Sequence, residues 1–443
     1  MRNSDNIDIF YASAGVGKTT KLLDIVDHHI KNGVPIERIA FLTFTKKAAE
    51  VAKMRTSERF GIPLGRLENF RTIHSLCFKR CGAKMSQMMD SRKYKEFGDF
   101  AGYNLSNINL NYAEGISWRD NKDTRLVALE QLYRNNPKYC DKITDNFTDM
   151  IRYMTEYTKY RHEHDILDFT DLLENYIKED YVEDVDVVCL DEMQDSTPLQ
   201  WRVVFNAFRN AEHIYIAGDD KQAIYQFAGA SPDVLVNMKG NQHILDTSYR
   251  VPSKILDFAT SIASELSVRS NAYCRAIKQG GDIEYITGVD EIGYIPELWN
   301  KGKTVFMLAR NNKFLSKYVE WCRDNGFPYM YKGEPVFTSD DKFQYKYGMT
   351  DLWTQDKLLF AQECDAKGRF YDDPRINIST IHSVKGDEAD IVILMGDISK
   401  IVAQQMDIDE DTEHRSFYVG VTRAKERLFI IEPQTKLYYP YLY

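Results

Sequence analysis

The sequence predicts an α/β protein of two domains with parallel sheets, a helical insertion in the first domain and a very short insertion in the second. Three observations carry this prediction. The chain of 443 residues is too long for one compact core. Short apolar runs alternate with amphipathic helical segments in both halves of the chain, as strands and crossover helices do. A polar segment rich in Tyr, Asn and Lys, residues 79–160, interrupts this rhythm in the first half.

Residues 7–20 read IDIFYASAGVGKTT, an apolar run and a turn of small residues that open a helical segment. A bound phosphate needs converging backbone N–H groups, a helix N-terminus, an ammonium and a hydroxyl that reaches Mg²⁺. The residues expected to supply these groups are Ala14, Gly15, Gly17, Lys18, Thr19 and Thr20. We therefore predict a P-loop, although Ala12 stands where the strict pattern has glycine. The alternative is a plain glycine turn before a helix.

Composition excludes several classes of protein. The hydrophobic fraction is an ordinary 43%, no apolar run approaches the roughly 20 residues of a membrane span, and residues 1–5 lack a secretory signal. These features predict a cytoplasmic protein without a membrane partner. The seven cysteines are scattered, with Cys77 and Cys81 as the one close pair, so reduced thiols are expected rather than a zinc site. The net charge of −9 argues against a protein that coats nucleic acid by bulk electrostatics.

A second strand is expected over residues 38–44, and Thr45 is placed to cap the alanine-rich helix that follows. Phe44 ends this strand beside a helix N-terminus with lysines, which suits a base and its phosphate, but taken alone this pattern is more often an ordinary strand–helix unit. His74 lies in a short polar segment where a histidine is usually structural. Residues 150–161 interleave basic side chains and tyrosines. This pattern fits either a track that binds single-stranded nucleic acid or a stripe of tyrosines packed in a core.

Carboxylates follow two apolar runs of the first half. Asp191 and Glu192 come directly after residues 187–190, at the strand end where open α/β sheets bind ligands. The first carboxylate can hold Mg²⁺ and the second can orient the attacking water, as phosphoryl transfer requires. After the next strand, residues 214–218, Gln222 could sense a γ-phosphate and Phe227 offers a stacking face.

The second half has strands and helices of its own without a second P-loop. Strands are expected over residues 304–310, 376–383, 391–395 and 427–431, with a helix over residues 312–325. Tyr249 and Arg250 suit a base platform and a charge clamp beside a nucleotide. Arg250 and Arg423 are expected to reach a nucleotide held by the first domain.

This order of motifs resembles the superfamily 1A helicases, the family of UvrD, Rep and PcrA, and the resemblance covers residues 10–431. Its most specific signals are DEMQD at residues 191–195, GDDKQAIY at residues 218–225 and YVGVTRA at residues 418–424. The resemblance implies two RecA-like domains, with ATP and Mg²⁺ as cofactors. It divides the chain at the following residues: first RecA-like domain 1–78 and 166–248, helical insertion 79–165, second RecA-like domain 249–337 and 376–443, and a reduced insertion 338–375.

The resemblance also assigns roles to single residues. Those implied to bind ATP are the P-loop residues named above, with Tyr249 stacked on adenine and Glu388 near the ribose. Thr19 and Asp191 would hold Mg²⁺. The residues implied in hydrolysis are Glu192, which activates water, and Gln222, Arg250 and Arg423, which contact the γ-phosphate. The residues implied to contact single-stranded DNA are Phe44, His74, Tyr225, Phe227 and His382.

The chain departs from the family pattern at four places. Only six residues precede the first strand in this sequence, where the family usually has a segment whose glutamine reads adenine, so the sequence does not predict strict adenine recognition. Phe227, Ala228, Gly229 and Ala230 replace Trp-Arg-Gly-Ala, and Asp387 replaces the usual leucine. The reduced insertion is too short for the mobile lobe of relatives, and it is expected to be a compact ornament or a loop touching duplex.

These features together predict an ATP-dependent 3′-to-5′ single-stranded DNA translocase and helicase that acts in replication, repair or recombination. Its expected partners are single-stranded DNA, tailed duplex DNA and a replisome or repair protein, and it is expected to unwind as a monomer. The alternative is an ATP-gated single-strand binding clamp, or an accessory motor without robust unwinding. An intact Glu192 argues against the clamp. A helicase–nuclease fusion is disfavoured because no acidic cluster follows Arg423.

Overall fold

The computed structural model describes residues 6–105, 108, 121–143, 147–291 and 295–443. The chain divides into two compact units. Unit 1 comprises Met1–Asp246 and Val268–Cys274, and unit 2 comprises Thr247–Ser267 and Arg275–Tyr443. Each unit contains a mainly parallel sheet with helices, which confirms the predicted α/β class. The predicted domain boundaries stay predictions.

Unit 1 is built on a six-stranded sheet. Its strands are β1 (Ile7–Tyr11), β2 (Ile39–Thr43), β3 (Phe70–Thr72), β4 (Val187–Asp191), β5 (His213–Gly218) and β6 (Asn241–Ile244). They pair in parallel in the order β3-β2-β4-β5-β1-β6. The inner strands β2 and β4 are buried along their whole length, because helices cover both faces of a parallel sheet.

The described residues of unit 1 form ten α-helices. They are α1 (Lys18–Lys31), α2 (Lys46–Phe60), α3 (Ile73–Arg80), α4 (Ser91–Ala101), α5 (Lys122–Asn135), α6 (Pro137–Ile143), α7 (Phe147–Glu163), α8 (Phe169–Lys178), α9 (Pro198–Ala207) and α10 (Pro232–Val236). The predicted cap of α2 is confirmed, because the Thr45 hydroxyl accepts a hydrogen bond from the Ala48 amide at 3.2 Å.

The helices α4, α5 and α7 enclose a hydrophobic core of their own. Tyr153, Tyr157 and Tyr160 of α7 are buried in it, and Phe97 of α4 lies within 5.7 Å of all three rings, centroid to centroid. The tyrosine stripe of residues 150–161 is therefore packing, and of the two alternatives for this segment the single-strand track is wrong for these tyrosines.

Unit 2 is built on a seven-stranded sheet and a small two-stranded one. The strands are β7 (Thr247–Ser248), β8 (Arg275–Ala276), β9 (Asp282–Ile286), β10 (Val305–Ala309), β11 (Tyr329–Tyr331), β12 (Glu334–Pro335), β13 (Ile376–Thr380), β14 (Ala389–Met395) and β15 (Ala424–Ile431). The larger sheet has the order β12-β11-β13-β10-β14-β15-β9 and is parallel except at its β11-β12 edge. The helices are α11 (Ser253–Ser264), α12 (Ile295–Asn300), α13 (Ser316–Asp324), α14 (Ser339–Lys346), α15 (Gln355–Ala366), α16 (Lys400–Met406) and α17 (Asp411–Val421).

Two predicted elements of unit 2 end earlier or begin later than expected. The strand expected over residues 376–383 ends at Thr380, and His382 lies in a 3₁₀ turn, His382–Val384. The helix expected from residue 312 begins as a 3₁₀ turn and becomes α-helical only at Ser316. Both differences lie at the end of a strand or the start of a helix, where a 3₁₀ turn replaces the regular strand or α-helix. No helix within the described ranges is long and apolar enough to cross a membrane.

Candidate nucleotide site

Three loops of unit 1 meet at one edge of its sheet. Strands β4, β5 and β1 are neighbours and parallel, so their carboxyl ends lie side by side. The loop between β1 and α1 contains the P-loop sequence, the turn after β4 contains Asp191 and Glu192, and the turn after β5 contains Asp219 and Gln222. Topology thus brings together three motifs that are spread from residue 12 to residue 222 of the sequence.

The P-loop has the backbone that a phosphate cradle needs. Gly15 and Gly17 have φ of 76° and 79°, a left-handed conformation that side chains disfavour, and Gly17 directly precedes α1. Ala12 is fully buried and its amide donates to the Gly218 carbonyl at 3.1 Å. Its methyl group, where the strict motif has glycine, is therefore accommodated inside the unit and leaves the glycines free to shape the cradle.

The side chains of the P-loop face the carboxylates of β4. The Lys18 ammonium lies 3.3 Å from a Glu192 oxygen, and the Thr19 hydroxyl donates to Asp191 Oδ2 at 2.6 Å. Burial alone would lower the pKa of Lys18, but Glu192, Asp219 and Asp191 outweigh it, so the pKa lies above its ordinary value. Burial, followed by the charge of Glu192, raises the pKa of Asp191 to about 6.

Glu192 is held in an unusual conformation. Its φ is 56°, one of four positive values among the described residues that are not glycine, and it precedes a 3₁₀ turn, Met193–Asp195. A left-handed backbone at a non-glycine residue costs free energy and persists where the surroundings impose it. The conformation turns the side chain from the strand end toward Lys18.

Gln194 is the residue that the sequence reasoning missed. It is fully buried, its amide nitrogen donates to Glu192 Oε2 at 2.5 Å, and its amide oxygen accepts from the Asp219 backbone at 3.0 Å. A Cβ at Gly218 would lie 3.0 Å from that oxygen and 2.5 Å from Leu235 Cδ2, so a larger residue there would have to displace these two side chains. The signal was available, since Gln194 stands two residues after Glu192 in the DEMQD segment.

The turn after β5 belongs to the same hydrogen-bonded network. The Gln222 amide donates to Asp219 Oδ2 at 2.5 Å, and both side chains are buried. Burial raises the pKa of Asp219, with Lys18 and Lys221 opposing the shift. The predicted γ-phosphate sensor, Gln222, is therefore linked to Glu192 through Asp219 and Gln194.

Three of the predicted DNA contacts form a row of rings. Phe44 stacks on Tyr225 at 5.3 Å between centroids, and Tyr225 meets Phe227 edge-on at 6.0 Å. Phe44 and Phe227 are partly exposed and Tyr225 is buried beneath them. His74 packs edge-on against Phe169, and burial lowers the pKa of its imidazole to about 4, so this ring is neutral near pH 7.

Unit 2 holds the remaining predicted residues. Arg250 forms an ion pair with Glu388, and Tyr249 is well exposed. Arg423 is fully buried, and its guanidinium donates to the carbonyls of Val419 at 3.0 Å and Asp387 at 3.1 Å. His382 is buried too.

The donor set fits a nucleoside triphosphate with Mg²⁺. A glycine-shaped helix N-terminus with an ammonium suits the phosphates, and a hydroxyl beside a buried carboxylate suits the metal, because Mg²⁺ prefers oxygen ligands and completes its shell with phosphate and water. Within the described ranges no group of three or more His, Cys, Asp or Glu side chains could hold a metal ion.

Comparison with known proteins gives two family matches. Residues 4–243 match the UvrD/REP helicase N-terminal domain, and residues 336–435 match the UvrD-like helicase C-terminal domain. The first match alone covers more than half of the chain and includes the three motifs of unit 1 that meet at the sheet edge.

Individual relatives are distant. A probable DNA helicase II homolog of Mycoplasma genitalium is 24% identical over 63% of this chain and 43% of its own length. The ATP-dependent DNA helicase Rep of Buchnera aphidicola is 24% identical over 64% of this chain and 47% of its own length. A probable DNA helicase of Mycoplasma pneumoniae is 21% identical over 99% of this chain and 82% of its own length. The matched region is thus less than half the length of the first two relatives.

Proposed function

Because this chain belongs to the UvrD/REP helicase family, we propose that it is an ATP-dependent DNA helicase that translocates on single-stranded DNA in the 3′-to-5′ direction. The observation that carries the proposal is the pairing of Lys18 with Glu192 and of Thr19 with Asp191. It joins a phosphate cradle to a water-activating carboxylate, whereas a clamp that only binds ATP has no need of the latter. The polarity rests on the family resemblance.

The residues of the site divide the chemistry of hydrolysis among them. Bound Mg²⁺ supplies positive charge that stabilises the transferring phosphoryl group. Thr19 and Asp191 would ligate it through oxygen atoms, and the Lys18 ammonium would neutralise the outer phosphates. Glu192 would accept the proton of the attacking water, a role for which its side chain must be held in one orientation. Gln194 supports that orientation by donating to Glu192 Oε2.

Gln222 is proposed to report the γ-phosphate to the DNA-contacting rings. It lies five residues before Phe227, and the two residues flank Tyr225 within one short segment. The row formed by Phe44, Tyr225 and Phe227 offers stacking faces, which bind single strands without regard to base. In unit 2, Arg250, Arg423, Tyr249, Glu388 and His382 keep the roles that the resemblance implies.

The proposal extends to the state in which the protein acts. The segment of residues 338–375 contains the short helices α14 and α15, and its residues Phe360 and Cys364 pack in the hydrophobic core of unit 2. This packing supports a compact insertion on unit 2 rather than a separate lobe. Because a separate mobile lobe is what restrains the monomer in relatives, we expect a monomer of this chain to unwind duplex DNA. A replisome or repair partner and a cytoplasmic location remain part of the proposal.

Strand displacement tests the proposal directly. Duplexes with a 3′ tail, a 5′ tail or blunt ends are incubated with the protein and ATP, or with a non-hydrolysable analogue. Unwinding only of the 3′-tailed duplex, and only with ATP, is expected. Binding of tailed DNA without displacement would favour the clamp. Under single-turnover conditions the rate should rise linearly with protein, and a sigmoidal rise matched by a two-protein complex in sedimentation would contradict the monomer.

A further inference from the structure

The carboxyl end of α5 contacts both turns that carry the proposed chemistry. The Asn136 amide nitrogen donates to the Gly229 carbonyl at 3.1 Å, in a buried environment. The preceding Asn135 accepts from the Thr197 hydroxyl at 3.2 Å and donates to Thr170 Oγ1 at 3.0 Å. Gly229 follows Phe227 by two residues, and Thr197 follows the Glu192 turn. One helix end of the helical insertion thus meets the DNA-contacting turn and the hydrolytic turn.

The Phe227 turn fits closely against this helix end. Gly229 has a φ of 96°, and a Cβ there would lie 3.3 Å from Asn135 and 3.4 Å from both Leu132 and Thr197. The turn is also tied to the Glu192 loop, because the Ser231 amide donates to the Ser196 carbonyl at 3.1 Å. A displacement of the Phe227 ring is therefore resisted from two sides, by the hydrolytic loop and by α5.

We propose that Asn136 is a positioning residue that fixes the Phe227 turn on the helical insertion and so couples DNA contact at Phe227 to hydrolysis at Glu192. The inference rests on the proposed function, since it needs DNA to act through Phe227. A buried carbonyl that loses its hydrogen-bond donor raises the free energy of the folded state. Without the Asn136 amide, we expect the Phe227 turn to shift until the Gly229 carbonyl finds another donor. Such a shift moves Phe227 without touching a residue that contacts ATP.

Asn136 also has a local role, and the test must separate the two. Its side-chain oxygen accepts from the Tyr139 amide at 3.3 Å, which caps the start of α6. Serine and aspartate both cap helices well, but neither reproduces the amide donor. Asn136→Ser and Asn136→Asp therefore keep the cap and remove the bond to Gly229, and only the first avoids a new charge.

The experiment measures ATP hydrolysis with and without single-stranded DNA on the full chain. We expect the ratio of DNA-stimulated to basal hydrolysis to fall roughly five- to tenfold in both variants, as for one lost buried hydrogen bond. Phe227→Ala gives the ratio expected when the contact itself is lost. Asn237→Ser is the matched control, because that amide donates to a carbonyl of its own helix on the surface. Melting temperature is followed in parallel.

Folded Asn136 variants with the parental ratio would overturn the inference. If both variants fail to fold, Gly229→Ala decides it, because the added Cβ would lie 3.3 Å from Asn135 and 3.4 Å from Leu132 and would displace the same turn from α5, while Asn136 and the cap of α6 stay unchanged. A parental ratio in that variant would again overturn the inference, and a lowered ratio would support it. Failure of the proposed function looks different, since the parent protein itself would then show no stimulation by DNA.

Discussion

The nucleotide site and the helical insertion both bury carboxylates beside cations, yet they use these charges in opposite ways. Where the helical insertion meets α8, its two arginines, Arg134 and Arg161, face four acidic side chains of α5, of α8 and of the residue before α8: Glu130, Asp168, Asp171 and Glu174. We refer to these six residues as the arginine cluster. In the nucleotide site, Lys18 and Lys221 lie among Asp191, Glu192, Asp219 and Asp220.

We call the arginine cluster closed because its two cations bond directly to its own carboxylates. Arg134 donates to Glu130 at 3.0 Å, to Asp168 at 2.8 Å and to Asp171 at 2.6 Å, and Arg161 donates to Asp171 as well. A guanidinium offers five donors in a fixed plane, so two arginine side chains can bond several carboxylates at once.

The nucleotide site keeps its charges in a more open arrangement. Lys18 approaches one carboxylate, Glu192, at 3.3 Å, and Asp191 is bonded to the hydroxyl of Thr19. An ammonium is a compact charge on a flexible stem, and its contacts can be exchanged for phosphate without dismantling the unit. Each cluster has two basic and four acidic side chains. The clusters differ in the geometry of their donors, which suits a structural role for the arginines and ligand binding for the lysine.

The largest effect is expected at Glu192. Glu192→Gln should leave ATP bound and lower the rate of hydrolysis by roughly 10²–10⁴-fold, because it removes the base that accepts the proton of water. Lys18→Ala should instead weaken ATP binding. Equilibrium binding of a fluorescent ATP analogue and steady-state hydrolysis distinguish the two. Asp168→Asn in the arginine cluster is the control that should not share the hydrolytic defect, and parental hydrolysis by Glu192→Gln would contradict the assignment.

The largest effect on stability is expected when Arg134 of the arginine cluster is replaced. Arg134→Ala leaves the buried Glu130 without its ion-pair partner and leaves Asp168 and Asp171 with Arg161 alone, and it is expected to lower the free energy of unfolding by about 3–5 kcal/mol. Lys18→Ala should cost about 1 kcal/mol, since Glu192 is partly exposed and stays hydrated. Urea unfolding followed by circular dichroism measures both. Equal losses in the two variants would remove the distinction between a closed and an open cluster.

A smaller catalytic effect is expected at Gln194. Gln194→Ala removes the donor to Glu192 and the acceptor of the Asp219 amide, so the rate of hydrolysis should fall by roughly tenfold or more at saturating ATP. The Michaelis constant for ATP should change little, because Gln194 is not proposed to contact the nucleotide. A raised Michaelis constant with an unchanged rate would show that Gln194 shapes the binding pocket instead.

The smallest expected effect is the contribution of Glu130 to the pH dependence of the free energy of unfolding. Burial, opposed by Arg134, raises the pKa of Glu130 to about 7 from an ordinary 4.5. The folded protein therefore binds a proton there that the unfolded chain releases, and Glu130 lowers the free energy of unfolding as pH rises from about 4.5 through 7. Glu130→Gln should gain stability relative to the parent over that window and keep the gain at higher pH. A difference that is flat from pH 4.5 to 8 would contradict the raised pKa.

Short-range patterns in the sequence were enough for the α/β class, the P-loop and the carboxylate pair after β4. An apolar run followed by glycines and Lys-Thr reads as strand, loop and helix because each step depends on neighbours in the chain. The tyrosines of residues 150–161 show the limit of such patterns. A stripe at helical spacing has the same spacing whether it binds bases or packs in a core, and only the position of α4 and α5 against α7 decided for packing.

What the sequence by itself determined was the set of candidate residues for phosphoryl chemistry: Lys18, Thr19, Asp191 and Glu192 were predicted from motif and spacing. What only the tertiary structure decided was how they are held. Gln194 spans from the Glu192 turn to the end of β5, and Asn136 reaches Gly229 from a helix 93 residues earlier. Both are amides whose role depends on a partner distant in the chain. Hydrogen bonds of that kind have no sequence spacing, because strand order and helix packing bring their partners together.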